Sequence, residues 1–318
     1  MKVSFVIPAY NEEFYIEKCL ISVLREVKEN TGAYEIIVVN NGSTDKTKEI
    51  ALRFSGVTVV DEPERGLPRA RQAGFLASRG DLIANIDADT LLPSGWLRYA
   101  EDQFSKNQKL VALSGPFVYY DLPKNINFWV KALYGIGFIS YLINRFILRV
   151  GSMIQGGNFI IRRSVLEKIG GYNLRINFYG EDSDIARRLN PLGEVKFTFK
   201  LPMYASGRRL MKEGTVKMGV RYGINYLWTI FFKKPFSNQS PQAIEGKPIY
   251  VRKTISAPKI FSGVTISVLA LLLFLVFHFS TLANFENSSK KFVSKIHTKI
   301  ITSKSFQKLS NLEKEMRE

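Results

Sequence analysis

At 318 residues and 36.2 kDa the chain has room for one full catalytic domain plus an appendix. Its single cysteine, Cys19, excludes an intrachain disulfide. A formal net charge of +17 comes without a nucleic-acid-binding motif, so the expected partner is an anionic lipid surface and not nucleic acid.

Lys2 to Ile7 is β-branched and apolar, a strand that Pro8-Ala9-Tyr10-Asn11-Glu12-Glu13 breaks. Ile16, Leu20, Val23, Leu24 and Val27 recur at helical spacing, predicting an amphipathic helix over Glu12 to Glu29 with Cys19 on its apolar side. A second strand, Ile36 to Val39, ends in the polar run Asn40 to Asp45. A helix follows from about Lys46 to Phe54, for which Asp45 reads as the N-cap. Val57 to Val60 is a third strand, and Leu67 to Ser78 a third helix. The apolar run from Leu82 then ends in Asp87-Ala88-Asp89, which suits a strand buried on both faces. Alternation of strand and helix argues for a parallel, doubly wound sheet, whose polar loops after the first, second and fourth strands line one edge. Along an extended backbone, residues i and i+2 share a side, so Asp87 and Asp89 are expected to face one hard cation, Mg²⁺ or Mn²⁺.

Asn127 to Val150 is apolar but interrupted by Lys131, Arg145 and Arg149, which predicts an amphipathic helix at a membrane interface or over the acceptor site. Glu181 to Leu189 reads as a helix whose first turn holds Asp182 and Asp184, acids that a helix N-terminus favours in any case. Tyr222 to Phe236 resembles the earlier interfacial segment. Ile260 to Phe285 holds 26 positions without a charged residue, more than the roughly 20 needed to cross a bilayer core. Lysines and arginines flank it on both sides, so the positive-inside rule gives no orientation. The expected organisation is a catalytic domain over 1–250, a transmembrane helix over 260–285 and a basic tail over 286–318. No leader is expected, because the chain begins directly with a strand.

The blocks SFVIPAYNEE, VVNNGSTD, RGLPRARQAG, NIDADT, GGNFIIRR and GEDSDIARRL stand in order between Val3-Ser4 and Leu189. In this order they resemble family 2 glycosyltransferases of the GT-A fold. The resemblance implies an α/β, doubly wound, mostly parallel sheet. It also implies transfer of a sugar from a UDP- or GDP-linked donor to an acceptor hydroxyl or phosphate, with inversion. By the same resemblance Pro8, Tyr10 and Glu12 surround the base and ribose, and Asn41 stands where many relatives have an aspartate for the base. Arg71 is placed near the diphosphate, with Arg65 and Arg69 as rivals. Asp89 is the metal ligand, aided by Asp87 through water or the ribose. Asp182 of the Glu181-Asp182 pair is the general base, and Gly156, Gly157, Asn158 and Glu181 border the acceptor. The Gln-x-x-Arg-Trp block of processive members is absent, Arg208-Arg209 being its nearest remnant, so single transfer is expected. A sugar nucleotidyltransferase is disfavoured, since the loop Pro8 to Glu13 has no glycine. Cytoplasmic nucleotide sugars place the catalytic domain inside the cell membrane, facing a lipid-linked acceptor. The alternative is a soluble or polysaccharide acceptor, with the span serving as an anchor.

Overall fold

Alternating apolar residues become the two faces of one sheet. The computed structural model describes residues 1–142, 145, 153–232 and 236, all within the first of two units, Met1–Phe261. In chain order the elements are β1 (Val3–Ala9), α1 (Ile16–Lys28), β2 (Tyr34–Asn40), α2 (Thr47–Leu52), β3 (Val57–Asp61), α3 (Leu67–Ala77), β4 (Leu82–Ile86) and β5 (Thr90–Leu91). They continue with α4 (Trp96–Lys106), β6 (Leu110–Ser114), β7 (Phe117–Tyr119), α5 (Lys124–Leu142), β8 (Asn158–Arg162) and α6 (Arg163–Lys168). The last are α7 (Glu181–Leu189), β9 (Glu194–Phe197), β10 (Met203–Ala205), α8 (Arg208–Glu213) and α9 (Thr215–Phe232).

Seven strands form the main sheet in the order β3-β2-β1-β4-β8-β6-β9. Only β8 runs antiparallel to its neighbours, so the doubly wound, mostly parallel sheet expected from the sequence is present. Phe5 and Ile7 of β1, with Ile36 and Val38 of β2, pack under α1 and α4. Val6, Ile37 and Val39 point the other way, towards α3 and α7. A smaller sheet, β5-β10-β7, stands beside the carboxyl end of β4.

Three boundaries differ from the sequence reading. β1 runs through Pro8 to Ala9, because pairing to β4 has already ended at Val6 and β2 alone flanks the proline. α1 starts at Ile16, after Glu12 and Glu13 have been drawn into the loop. The segment expected to begin at Asn127 is α5, which starts at Lys124. α5 buries Val130 and Tyr141 and exposes Phe128 (65 %), Ile139 (55 %) and Leu142 (36 %). α9 takes up Tyr222 to Phe232 of the other expected interfacial segment and buries Asn225 and Thr229. Among the described residues no helix is long and apolar enough to cross a membrane. The span expected over 260–285 and the tail over 286–318 lie outside the described residues.

Candidate active site

The loops after β1, β2 and β4 meet at one edge of the sheet, as alternation of strand and helix requires. Asn11 exchanges hydrogen bonds with Ser43 and Thr44, and the Glu13 amide donates to Asp45 Oδ2. Asp45 Oδ1 accepts from the Thr47 amide at 3.0 Å, the helix-start role expected for it. After β4 the backbone does not stay extended. The Thr90 amide donates to the Asp87 carbonyl (3.1 Å), so Asp87 to Thr90 is a tight turn with Ala88 buried in the core. The two carboxylates approach each other through this turn, not through strand alternation, and Asp87 feels the charge of Asp89.

A buried arginine holds each of them. Arg71, on α3, has no exposed surface and donates to Asp87 Oδ1 (3.1 Å) and to Glu181. Arg208, at the start of α8, meets Asp89 Oδ2 at 3.1 Å and Glu12, with its guanidinium 4.5 Å from the centre of the Tyr15 ring. Burial pushes the Glu12 carboxyl up to about 8 and that of Glu181 up to about 7, against the pull of the paired arginines. Burial raises Asp87 also.

Asp182 opens α7 next to Glu181. It accepts from the Ser183 amide (2.7 Å) and from the Gly156 amide, while burial raises its pKa. Gly156 and Gly157 separate the two halves of the site. A Cβ on Gly156 would lie 3.2 Å from Glu181 Oε1, and one on Gly157 would lie 2.1 Å from the Asp87 carboxylate. Gly157 also has φ +77°, which glycine adopts freely.

The structure therefore brings Glu12, Asp87, Asp89, Glu181, Asp182, Gly156 and Gly157 together. Other expected residues are placed differently. Asn158 is fully buried, accepting from the Trp96 indole and donating to the carbonyls of Gly115 and Leu201, so it secures strands and does not face an acceptor. Asn41 Nδ2 donates to the carbonyls of Glu62 and Glu64 and its oxygen accepts from the Gly66 amide, which folds the loop after β3. Arg71 sits behind Asp87 with no surface left for a diphosphate. Of its rivals, Arg69 pairs with Glu64 at the surface and Arg65 covers the Tyr10 ring at 4.4 Å. Pro8 lies inside β1, which ends at Ala9, and the half-buried Tyr10 that follows is covered by the exposed Arg65.

The sequence reading did not find the roles of Arg208, Arg209 and Tyr222. Arg209 lies 4.5 Å from the Phe178 ring, hydrogen-bonds Tyr222 and is attracted by Asp89 and Asp87, with no carboxylate in ion-pair contact among the described residues. The only signal was the Arg-Arg pair after Ser206-Gly207; nothing in spacing links it to Glu12.

Five carboxyl groups thus face three guanidiniums, a surplus of two negative charges once Glu12 and Glu181 are both ionised, which suits a divalent cation. Among the described residues no three His, Cys, Asp or Glu side chains form a metal cage. A Mg²⁺-like ion needs no such cage, since one or two carboxylates with substrate phosphates suffice, so Asp89 and Asp87 fit it.

The sequence profile of glycosyl transferase family 2 matches residues 4–170, more than half of the chain. The chain belongs to that family. A dolichyl-phosphate beta-glucosyltransferase of Trichomonas vaginalis is 31 % identical over 149 residues, 42 % of this chain and 46 % of the relative. An uncharacterized glycosyltransferase of Haemophilus influenzae is 27 % identical over 245 residues, 73 % and 88 % of the two chains. This chain spans less than half the length of several curated relatives that it matches. Among solved structures, the mannosyltransferase PcManGT of Pyrobaculum calidifontis, in complex with GDP-Man and Mn²⁺, aligns with TM-score 0.52 at 18 % identity, over 97 % of this chain and 83 % of that one. Glucosyl-3-phosphoglycerate synthase of Mycobacterium tuberculosis, in complex with Mn²⁺ and UDP-Glc, aligns with TM-score 0.50 at 21 % identity, over 72 % and 78 %. The chain is thus a member of glycosyl transferase family 2 with a GT-A-like fold.

Proposed function

We propose that the enzyme moves a sugar from a UDP- or GDP-sugar to a lipid-linked acceptor at the cytoplasmic face of the cell membrane, in one inverting displacement. The observation that carries this reading is that Asp182 meets Gly156 and Asp87 meets Gly157, with Asp89 near enough to Asp87 for its charge to act on it. Asp182 takes the proton from the acceptor hydroxyl as that oxygen bonds to the anomeric carbon and the bond from the carbon to the diphosphate oxygen breaks. A carboxylate whose basicity burial has raised suits the task. Mg²⁺ or Mn²⁺ on Asp89, with Asp87 beside it, would neutralise charge on the departing nucleotide diphosphate. Tyr10 and Arg65 border the nucleotide, and Arg209, in place of Arg71, is the fixed cation that faces the phosphates.

The lipid-linked acceptor is supported by α5, which presents Phe128, Ile139 and Leu142 with the exposed Lys131 on one side, a composition suited to a bilayer interface. The net charge of +17 and the uncharged run over 260–285, read as a single span, agree with it. The test is Mn²⁺-dependent hydrolysis of UDP-, GDP- and dTDP-sugars. Transfer in vesicles to polyisoprenyl phosphate and to polyisoprenyl diphosphate-linked sugar follows. We expect Asp89→Ala to lose hydrolysis, and vesicle-borne acceptors to outperform a water-soluble glycan. Unchanged hydrolysis by Asp89→Ala in EDTA would sink the metal role, and efficient use of the soluble glycan would sink the lipid acceptor.

A further inference from the structure

We infer that Arg208 is a positioning residue for the metal-binding turn: it grips Asp89 by one oxygen, ties it to Glu12, and so aims the other oxygen of Asp89 at the cation. This rests on Asp89 being the metal ligand, as proposed above. Three observations carry it. First, one nitrogen, Nη2, serves both Glu12 and Asp89 Oδ2, and the Arg208 side chain is only 7 % exposed, so it presents almost nothing to a substrate. Second, the segment that delivers Arg208 also holds the backbone of the turn. The Ser206 amide donates to the Asp89 carbonyl (3.2 Å), and Ser206 Oγ and the Gly207 amide are anchored on Asp121. Third, the guanidinium lies against the Tyr15 ring, which fixes its plane. With its plane so fixed, the guanidinium holds the Asp89 oxygen in place through Nη2, which a lysine's flexible point charge would not do. The design repeats on the other side of the turn, where Arg71 joins Asp87 to Glu181. Arg208 thus makes the ligand geometry depend on Glu12, which lies 196 residues away and follows β1.

The test uses the full-length protein and titrates free Mn²⁺ by electron paramagnetic resonance, with and without UDP or GDP. Partners that orient a ligand from behind set metal affinity by about 10–100-fold. Arg208→Gln should therefore weaken Mn²⁺ binding by about that factor. At saturating Mn²⁺ it should leave affinity for the nucleotide within about threefold. Arg208→Lys should fall between, and should carry the test if Arg208→Gln does not fold. Wild-type Mn²⁺ affinity in Arg208→Lys or Arg208→Gln would overturn the inference. So would weakened nucleotide affinity at saturating Mn²⁺, which would mark a residue that touches substrate. Asp89→Ala separates the two ideas: Mn²⁺ binding that survives it undoes the metal assignment itself, whereas Mn²⁺ binding lost in Asp89→Ala and intact in Arg208→Gln undoes only the role of Arg208.

Discussion

Asp182 and Asp184 stand on one helical turn and do unrelated things. Asp182 is half-buried beside Gly156, held by amide donors and with Tyr222 and Tyr134 close enough to feel its charge. Asp184 is buried and paired with Arg187 (2.8 Å) and Arg188 (3.4 Å), and Arg188 also binds the carbonyls of Ile169 and Gly171. Beyond the helix-start acid that the sequence suggests, it is the centre of an ion-pair cluster that ties α7 to the loop after α6. Asp182→Asn should keep donor and Mn²⁺ binding yet lose transfer to a hydroxyl acceptor by at least about 100-fold, the scale for a positioned base. Asp184→Asn should leave kcat nearly intact and lower stability by roughly 1–3 kcal/mol, discounted because its partners are partly exposed. Steady-state rates alongside thermal melts check both. The reverse order of severity would exchange the assignments.

At the scale of elements, the segment between Gln155 and β8 decides whether Asp87 can stand where it does. Gly157→Ala places a methyl group against the Asp87 carboxylate and forces a side chain into φ +77°. Gly170→Ala is the matched control, having φ +74° but open space around its Cβ. Both variants should lose about 1 kcal/mol of stability to backbone strain. Only Gly157→Ala should also lose Mn²⁺ affinity and activity, by at least about tenfold, measured by titration and initial rates. Equal effects in the two would show that strain alone matters. The elements that frame this site were largely legible. Ile16, Leu20 and Val23 announced α1 by their spacing, and the run Leu82 to Ile86 announced a strand buried on both faces. The turn at Asp87 to Thr90 was not legible, because the sequence around Ala88 carries no glycine or proline to mark it, and a strand of apolar residues reads as continuing.

Across the whole molecule, what stayed illegible was pairing over long separations. Local periodicity reports which face of an element is apolar, so the layers of the sheet followed from it. It says nothing of which arginine meets which carboxylate, and Arg71 and Arg208 both ended as internal partners where a surface cation was expected only of Arg71. Burying these pairs has a consequence for pH. Glu181 and Glu12 ionise at about 7 and about 8 in the fold, against 4.5 for the ordinary glutamate. The folded state therefore holds more protons than the unfolded chain between about pH 4.5 and 8, so stability is greatest at the acid end of that window and falls as pH rises through it. The carboxylates that their partners hold low, Glu35, Asp61 and Glu194, act in the opposite sense and only below about pH 4.5, so they do not mask the effect. Melting curves recorded in EDTA from about pH 5 to 8 should show Tm declining for the wild-type protein, by an amount on the order of a few kcal/mol in stability. The double variant Glu12→Gln, Glu181→Gln removes these two titrating groups while keeping their shape, and its Tm should decline less steeply over the same range, Asp87 and Asp182 leaving a smaller slope of the same sign. A wild-type Tm that rises from pH 5 to 8, or a double variant that keeps the wild-type slope, would show that these two carboxyls are not what links the fold to the proton.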